Sequence, residues 1–336
     1  MILNRRELLR RLFAVTGVLA GSRFALPASP NPRQQPLKSV AKRGRVVAVK
    51  DPRVFREENR LDGKIVQEML GRGLVKFTGE PDPASAWANL FRPSERVGLK
   101  VNCIAGRGIS SSVELTEAIV AGLLSAGVRA ENIVIWDRTN RELARAGFRL
   151  NRNGSGVRCY GTDDTLAGYE SELVYAGQVG SHFSRLLTRF CDALINVPVL
   201  KDHNVSGVTA ALKNYYGAID NPSRYHGNHC NPYLADLNAS PVIRQKERLV
   251  VCDALRVQYH GGPSYRPQWI WPCAGLLIGQ DPVAVDRIGH DWIEQRRAEE
   301  GLASLKNEGR EPSWLWTAAR YGLGIADSSA IELLGV

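Results

Sequence analysis

The sequence lacks the short motifs that most often reveal a cofactor or a catalytic nucleophile. Its six cysteines are widely spread and none belongs to a Cys-x-x-Cys pair, so we expect no iron–sulfur cluster and no structural zinc site of ordinary spacing. A Walker motif, a Gly-x-Gly-x-x-Gly fingerprint and a Gly-x-Ser-x-Gly elbow are also missing. No stretch is long and apolar enough to cross a membrane, so a stable transmembrane anchor is not expected.

The main part of the chain has almost no net charge. The whole protein carries a formal charge of +10, but residues 1–45 hold ten basic side chains against one acid, Glu7. The remaining residues contain 34 basic and 33 acidic side chains. A nucleic-acid-binding domain would keep its basic surplus on the folded surface. Nucleic acid is therefore not an expected partner.

The N-terminus has the features of an export signal. Arg5-Arg6-Glu7-Leu8-Leu9 is a twin-arginine pattern, followed in order by an apolar run at 12–20 and by Leu26-Pro27-Ala28. These features predict a signal peptide at residues 1–28, the twin-arginine export machinery as a partner and a periplasmic location. The alternative is an amphipathic N-terminal helix that contains two adjacent arginines. Because twin-arginine export carries folded proteins, the leader favours a metal or organic cofactor inserted before export.

Residues 45–336 predict one α/β domain, joined to the leader by a disordered linker at 29–44. Apolar strands and amphipathic helices alternate along it, which indicates a mostly parallel, doubly wound sheet flanked by helices. A small second lobe is expected around residues 140–190. The expected strands are 45–49, 96–101, 133–136, 193–200, 248–252 and 275–279, and the expected helices are 61–74, 113–126, 208–217 and 282–297.

The most informative stretch runs from Asn196 to Gly217. It predicts a buried strand, a turn at 201–204 that holds Lys201 and His203, and then a helix that holds Lys213 and Asn214. Open α/β sheets usually bind ligands where strands end and helices begin. We therefore expect the active region here.

Other polar side chains follow neighbouring strands and should reach the same edge of the sheet. Lys100 and Asn102 end one strand, and Asp137 ends the next. The Gly/Ser loop at 103–112 includes Ser110 and Ser111 and is suited to binding an anion through backbone N–H groups. Its alternative role is a plain connector whose serine caps the following helix.

The residue types indicate the chemistry of the site. Lys201 and Lys213 suit a carboxylate or phosphate as point charges, and His203 suits a general acid/base or a metal ligand. The alternative is structural: His203 caps the next helix and Lys213 extends from an amphipathic face. Asp253 ends a later strand and is the expected fourth catalytic residue. Asp281 before Pro282 is expected mainly to cap a helix.

A second cluster of ligating residue types lies at 224–230. His226, His229 and Cys230 form a His-x-x-His-Cys sequence, whose ligand types suit zinc, copper or nickel. The favoured metal set is His203 with His226, with His229 as a further candidate and an acid such as Asp253. The alternative is a polar surface loop.

Several ordered motifs lie within roughly residues 45–295: Val97–Asn102, Pro198–His203, Gly207–Thr209, Ala211–Asn214, Gly217, Ala235–Leu237, Val251–Ala254, Gly261–Pro263 and Asp281–Asp286. Together they resemble the DUF362 family. The resemblance implies no reaction, because the family has none established, and it supports His226 more than His229 or Cys230. Many members also carry a ferredoxin-like segment with Cys-x-x-Cys spacing, which this chain lacks.

These observations predict an exported, metal- or cofactor-dependent enzyme that acts on a small anionic substrate by redox chemistry or by proton-transfer isomerisation. The alternative is a non-catalytic periplasmic ligand-binding or cofactor-delivery protein. The expected catalytic residues are Lys201, His203, Lys213 and Asp253, and the expected substrate-binding residues are Lys100, Asn102, Ser110, Ser111 and Asn214. A divalent transition metal is the expected cofactor type, with His203, His226 and His229 as its ligands.

Overall fold

A mixed eleven-stranded sheet forms the centre of the protein, in a computed structural model that describes residues 44–336. Its core order is β13-β1-β12-β10-β7-β2-β3-β4; β8 and β11 also pair with β10, and β9 pairs with β8. The strands are β1 (Arg45–Lys50), β2 (Val97–Val101), β3 (Ile133–Trp136), β4 (Arg158–Cys159), β7 (Ala193–Val197), β8 (Val199–His203), β9 (Gly207–Thr209), β10 (Glu247–Gln258), β11 (Ile270–Trp271), β12 (Gly275–Gly279) and β13 (Glu332–Gly335).

Parallel pairing predominates, as predicted. β2 pairs in parallel with β3 and β7, and β7 pairs in parallel with β10. β12 is antiparallel to both β10 and β1. The chain returns from β10 to β12 without a crossover helix, and only an antiparallel strand can be reached in that way. The α/β fold class is therefore confirmed, with an antiparallel strand set into the sheet.

Helices cover both faces of this sheet. On β12, Leu277 packs into one hydrophobic core, while Leu276 and Ile278 pack into the other. Alternate side chains of a strand point to opposite faces, so each face needs its own layer of helices. The helices are α1 (Gly63–Thr78), α2 (Pro83–Leu90), α3 (Val113–Ser125), α4 (Asn140–Ala146), α5 (Ala211–Asn214), α6 (Tyr233–Ala239), α7 (Pro241–Arg244), α8 (Pro282–Glu299) and α9 (Trp314–Arg320).

The predicted turn at 201–204 and helix at 208–217 are wrong. Lys201 to His203 continue as strand β8, which forms an antiparallel hairpin with β9. The chain turns at 204–206, and Gly207 has a φ of +76° that other residues rarely adopt. The helix begins only at Ala211, because the buried Asp286 carboxylate accepts the N–H groups of Ala211 and Leu212 at 2.5 and 3.0 Å.

Residues 140–190 do not form a separate lobe. They add β4 to the edge of the large sheet and form a two-stranded hairpin, β5 (Val174–Ala176) with β6 (Val179–Ser181). The segment belongs to the same compact unit as the large sheet. The predicted signal peptide at 1–28 and, except for Gly44, the linker at 29–44 lie outside the described residues. Within residues 44–336, no helix is long and apolar enough to cross a membrane.

The predicted cap of the last long helix is confirmed. Asp281 Oδ1 accepts the N–H of Ala284 at 2.9 Å, and Pro282 takes the first helical position. Ser112 precedes α3, but its side chain makes no cap hydrogen bond with that helix.

We expect Gly217→Ala to destabilise the protein, because its Cβ would lie 2.6 Å from Asp137 Oδ1 and 2.7 Å from Lys100 Nζ. Overpacking of this kind costs about 1–3 kcal/mol. Urea denaturation should show a lower midpoint at an unchanged slope. Gly227→Ala is the matched control, since no atom lies within 4 Å of its Cβ position. Equal losses in the two variants would contradict this account.

Candidate functional site

The candidate site lies where the strand order of the sheet reverses. β2 and β7 are parallel neighbours, but the chain runs from β2 to β3 on one side and from β7 to β10 on the other. The crevice outside the carboxyl ends of such strands is the usual ligand position in open α/β sheets. Asn102 follows β2, and β8 continues directly beyond β7 across Pro198.

The extended conformation of β8 separates its three polar side chains. Successive residues point to opposite faces, so Lys201 and His203 share one face and Asp202 lies on the other. Asp202 accepts hydrogen bonds from Arg310 Nη1 at 2.7 Å and from the Gly262 N–H at 2.8 Å. It therefore anchors two other segments of the chain, and its role is structural.

Lys100 is buried, and its charge is balanced within the fold. Its Nζ donates to Asp137 Oδ1 at 2.7 Å, to Asn214 Oδ1 at 3.1 Å and to the Val101 carbonyl at 2.6 Å. The other Asp137 oxygen accepts the Cys103 N–H at 2.7 Å, which fixes the start of the Gly/Ser loop. This pair joins the ends of β2 and β3.

Lys201 is equally buried, but its partners are neutral. Its Nζ donates to Asn102 Oδ1 at 3.1 Å and to the Ile109 carbonyl at 3.3 Å. Burial lowers the pKa of Lys201 from 10.5 to about 8. Within residues 44–336, no carboxylate forms a salt bridge with this lysine.

Lys213 has a similar environment. Its Nζ lies 3.2 Å from His226 Nε2, 3.4 Å from Cys230 Sγ and 4.4 Å from the centre of the Tyr216 ring. Burial lowers the pKa of Lys213 as well. In the described part of the chain it also has no salt bridge to a carboxylate. We refer to Lys201, His203, Lys213 and His226 as the lysine–histidine cluster.

The hydrogen bonds of His203 and His226 fix where their protons lie. The two rings stack with centroids 5.6 Å apart. Nδ1 of His203 accepts the N–H groups of Val205 and Ser206 at 3.1 and 3.3 Å, so the proton of the neutral ring lies on Nε2. Burial, with the charge of Lys213 next in importance, lowers the pKa of His203 to about 2.

His226 has the opposite tautomer. Its Nδ1 lies 3.1 Å from the Pro222 carbonyl, which can only accept, so Nδ1 carries the proton. Nε2 then accepts a hydrogen bond from Lys213. Burial and the charge of Lys213 lower the pKa of His226. Both rings are therefore neutral near pH 7.

Two of the three expected metal ligands, His203 and His226, lie side by side. His229 is exposed, and its Nδ1 lies 3.0 Å from the carbonyl of Val205, the residue whose N–H donates to His203 Nδ1. Among the residues that the structure describes, no group of three or more His, Cys, Asp or Glu side chains could hold a metal ion. The Nε2 proton of His203 also leaves that nitrogen without a free lone pair. A metal held by His203, His226 and His229 stays an untested prediction.

Asp253 and the serines hold the Gly/Ser loop in place instead of joining the cluster. Asp253 Oδ2 accepts the N–H and the hydroxyl of Ser112 at 2.8 and 2.6 Å. Ser111 donates to the Val197 carbonyl at 2.6 Å, and Ser110 donates to the Gly106 carbonyl at 2.6 Å. Ser110, Ser111 and Asp253 line a separate cleft of about 990 Å³.

A family profile matches the part of the chain that contains these residues. The profile of the family described as "Domain of unknown function (DUF362)" matches residues 97–291. The chain belongs to the DUF362 family. The matched range includes every residue of the lysine–histidine cluster, as well as Lys100, Asn102 and Asn214.

Two other comparisons add little about this DUF362 protein. No curated protein matches its sequence. A solved protein from Thermotoga maritima is similar at 13% identity and a TM-score of 0.42, over 72% of this chain. The present chain covers 61% of the length of that protein.

Sequence reasoning missed several residues around the site of this DUF362 protein. Asn196 lies inside the informative stretch, so its polarity within an apolar strand was a usable signal. Tyr216, which packs against both Lys213 and His226, was not distinguishable from a core aromatic residue. Asp286 lies within the Asp281–Asp286 motif, but nothing in that motif predicts that its carboxylate accepts the first N–H groups of α5. Glu247 has no local signal, because only the folded chain brings it to Asn196.

We expect His203 to stay neutral, with its proton on Nε2, from pH 8 down to about pH 4. The reason is that protonation of Nδ1 would replace two hydrogen bonds from backbone N–H groups with repulsion. Long-range ¹H–¹⁵N correlation spectra of labelled protein measure the tautomer directly. Exposed His229 serves as the internal control. Titration of His203 near pH 6 would contradict the assignment.

Proposed function

We propose that this protein is an enzyme that binds a small anionic substrate at the lysine–histidine cluster and catalyses proton transfer on it. The observation that carries the proposal is the presence of two buried lysines, Lys201 and Lys213, that have no carboxylate partner within residues 44–336. Lys100, which donates to Asn214 next to Lys213 in the sequence, is paired with Asp137.

The free energy of buried charge supports an anionic ligand. An ionised amine in the interior is costly unless an opposite charge or strong hydrogen bonds compensate it. Lys201 and Lys213 are only 1% and 6% exposed. A carboxylate or phosphate between them would supply the missing negative charge and accept their N–H groups.

The protonation states support proton transfer as the reaction class. Because the pKa of Lys201 is about 8, its amine and ammonium forms are both accessible near neutral pH, as a general base and acid require. Neutral His203 offers an Nε2–H to a substrate oxygen on which negative charge develops. In an isomerisation, the Lys213 ammonium would hold the substrate anion while the neutral amine form of Lys201 takes a proton from a substrate carbon. The Lys201 ammonium formed in this way would then return a proton to carbon to give the product.

We also propose that the protein works in the periplasm after twin-arginine export. The support is the sequence Arg5-Arg6-Glu7-Leu8-Leu9, with its following apolar run and Leu26-Pro27-Ala28. Export of the folded chain would deliver the lysine–histidine cluster already assembled.

A second candidate is a non-catalytic binding protein that uses the same cluster. The observation that favours it is the burial of Lys201, Lys213 and His203, each at most 6% exposed. Such burial suits a ligand that is held for a long time. The two candidates differ only in turnover, because both require the anion at the same lysines.

We expect Lys201→Met and Lys213→Met each to weaken anion binding by roughly 10- to 100-fold, because each removes a hydrogen bond from a charged group. Isothermal titration calorimetry with inorganic phosphate and with succinate measures the change. Lys246→Met is the matched control, since Lys246 donates only to the carbonyls of Leu187 and Thr188.

The same variants separate an enzyme from a binding protein. In deuterium oxide, the enzyme should exchange a carbon-bound hydrogen of a bound hydroxy- or amino-carboxylate, and Lys201→Met should abolish that exchange. Binding without exchange, for a panel of small carboxylates, supports the binding protein. Unchanged affinity in both lysine variants would refute both candidates.

We expect anion affinity to fall as the pH rises through about 8. Lys201 is charged below its pKa and neutral above it, so the electrostatic attraction is complete at pH 6–7 and is lost by about pH 9. Calorimetry across this range, with an anion of constant charge such as sulfate, measures the midpoint. Lys201→Met should remove this transition, and an unchanged midpoint in that variant would assign it to another group.

A further inference from the structure

A second cavity, of about 260 Å³, lies between α5, α7 and the start of α8. Its polar lining residues are Asn238, Arg244, Glu247, Gln280 and Asp281. None of them takes part in the proposed reaction. Pockets for drug-sized ligands measure about 300–1,000 Å³, so this cavity suits a smaller molecule.

Asn238 brings a buried acceptor without a donor to this cavity. Its Nδ2 donates to the carbonyls of Leu212 and Leu234 at 2.9 and 2.8 Å. Because carbonyls can only accept, the orientation of the amide is fixed and Oδ1 has to act as an acceptor. Asn238 is 5% exposed, and within residues 44–336 its Oδ1 has no hydrogen-bond partner. Since a buried acceptor is costly to leave unsatisfied, a donor inside the cavity is expected.

Three carboxyl groups at the cavity or beside it lack a positive partner. Glu247 and Asp281 line it, and Asp286 follows on α8. Their hydrogen-bond donors are neutral: Asn196 Nδ2 for Glu247, and backbone N–H groups for Asp281 and Asp286. Within residues 44–336, none of the three forms a salt bridge.

The pKa values of these groups agree with an excess of negative charge. Burial raises the pKa of Glu247 to about 7 and that of Asp286 to about 8, and the neighbouring carboxyl groups add to both shifts. A bound cation would relieve the repulsion and compensate the buried charge.

The arrangement favours an ammonium group over a metal ion. Both oxygens of Asp281 already accept backbone N–H groups, and the described residues contain no group of three or more His, Cys, Asp or Glu side chains that could hold a metal. An ammonium group brings three N–H donors and one positive charge. Asn238 Oδ1 and the Glu247 carboxylate are suitable acceptors. Gln280 Nε2 donates to the Arg248 carbonyl, which leaves Gln280 Oε1 as a third.

The rest of the lining suits a short alkyl chain. Leu212, Ile243 and Leu323 contribute apolar side chains. Among the described residues that line the cavity, Arg244 is the only cation. It is exposed and donates to the Gly322 carbonyl at 3.1 Å, so its guanidinium is bonded to a neutral oxygen instead of a carboxylate.

We propose that this cavity binds a small primary ammonium compound with a short alkyl chain, held by Glu247 and Asn238. The site is separate from the lysine–histidine cluster and goes beyond the proposed function. Leu212 lies on α5 next to Lys213, so the ligand would contact the helix that carries one of the two lysines.

Isothermal titration calorimetry of the full chain with n-butylammonium chloride at pH 8 tests the proposal. At this pH Glu247 is mostly ionised, and an alkylammonium group, like that of lysine, is protonated. We expect one site per chain. Binding should be at least tenfold weaker for n-butyltrimethylammonium, which has the same charge and chain but no N–H donor, and for 1-butanol, which has no charge.

A charge variant assigns the binding to this cavity. Glu247→Gln keeps the shape of the side chain but removes its charge, so we expect at least tenfold weaker binding of n-butylammonium. Glu142→Gln is the matched control, because Glu142 is a buried carboxylate that pairs with Arg138 and does not line the cavity. It should leave the affinity unchanged.

A second variant keeps the test valid if Glu247→Gln does not fold. Leu323→Trp fills the cavity from its partly buried wall and should abolish binding. Leu124→Trp, on the exposed surface of α3, is its control and should bind as the unchanged protein does.

Three results would overturn the inference. One is the absence of measurable n-butylammonium binding. Another is equal affinity for n-butylammonium and n-butyltrimethylammonium, which would indicate an adventitious ion only. The third is unchanged affinity in Glu247→Gln or, where that variant does not fold, in Leu323→Trp. The anion titrations of Lys201→Met and Lys213→Met are independent of these measurements, so their failure would contradict the proposed function and leave this site unaffected.

Discussion

The ion pair between Lys100 and Asp137 is the constraint on which the rest of the site depends. It closes the gap between the ends of β2 and β3, orients Asn214 on α5 and fixes the first N–H of the Gly/Ser loop. Gly217 leaves room for it, since no other side chain fits beside the pair. A buried pair of this kind contributes little net stability over apolar residues. Its main effect is to define one arrangement of four segments.

This arrangement explains why the buried lysines of the site differ in their hydrogen-bond and charge partners. Lys100 is neutralised within the fold, whereas Lys201 and Lys213 face neutral oxygens, a histidine nitrogen and a thiol. The same low dielectric that strengthens the first pair lowers the pKa of the other two lysines. Lys100 therefore carries a charge that the fold itself neutralises, whereas Lys201 and Lys213 carry charges that the described residues leave without a carboxylate partner.

The sequence was sufficient for the fold class and for several of the side chains that lie together at the candidate site, but not for the details of either. β3 and β12 match their predicted limits because each is a short apolar run between turn residues. The grouping of Lys201, His203, Lys213 and Asn214 followed from one motif. The β8–β9 hairpin did not, because three residues at 207–209 are too few to show strand alternation. The position of Asp253 also could not be predicted, since its partner Ser112 is 141 residues away in sequence.

The carboxylate of Asp286 at the start of α5 has a consequence for how the protein matures. Lys213 and Asn214 lie on a helix of one turn. That helix begins where the Asp286 carboxylate of α8 accepts the N–H groups of Ala211 and Leu212. Such a short helix is not stable by itself. During synthesis, the lysine–histidine cluster therefore cannot form until the chain has been made through α8. A ligand that binds there recognises only molecules whose folding is nearly complete, and its binding free energy favours the finished state over every partly folded one.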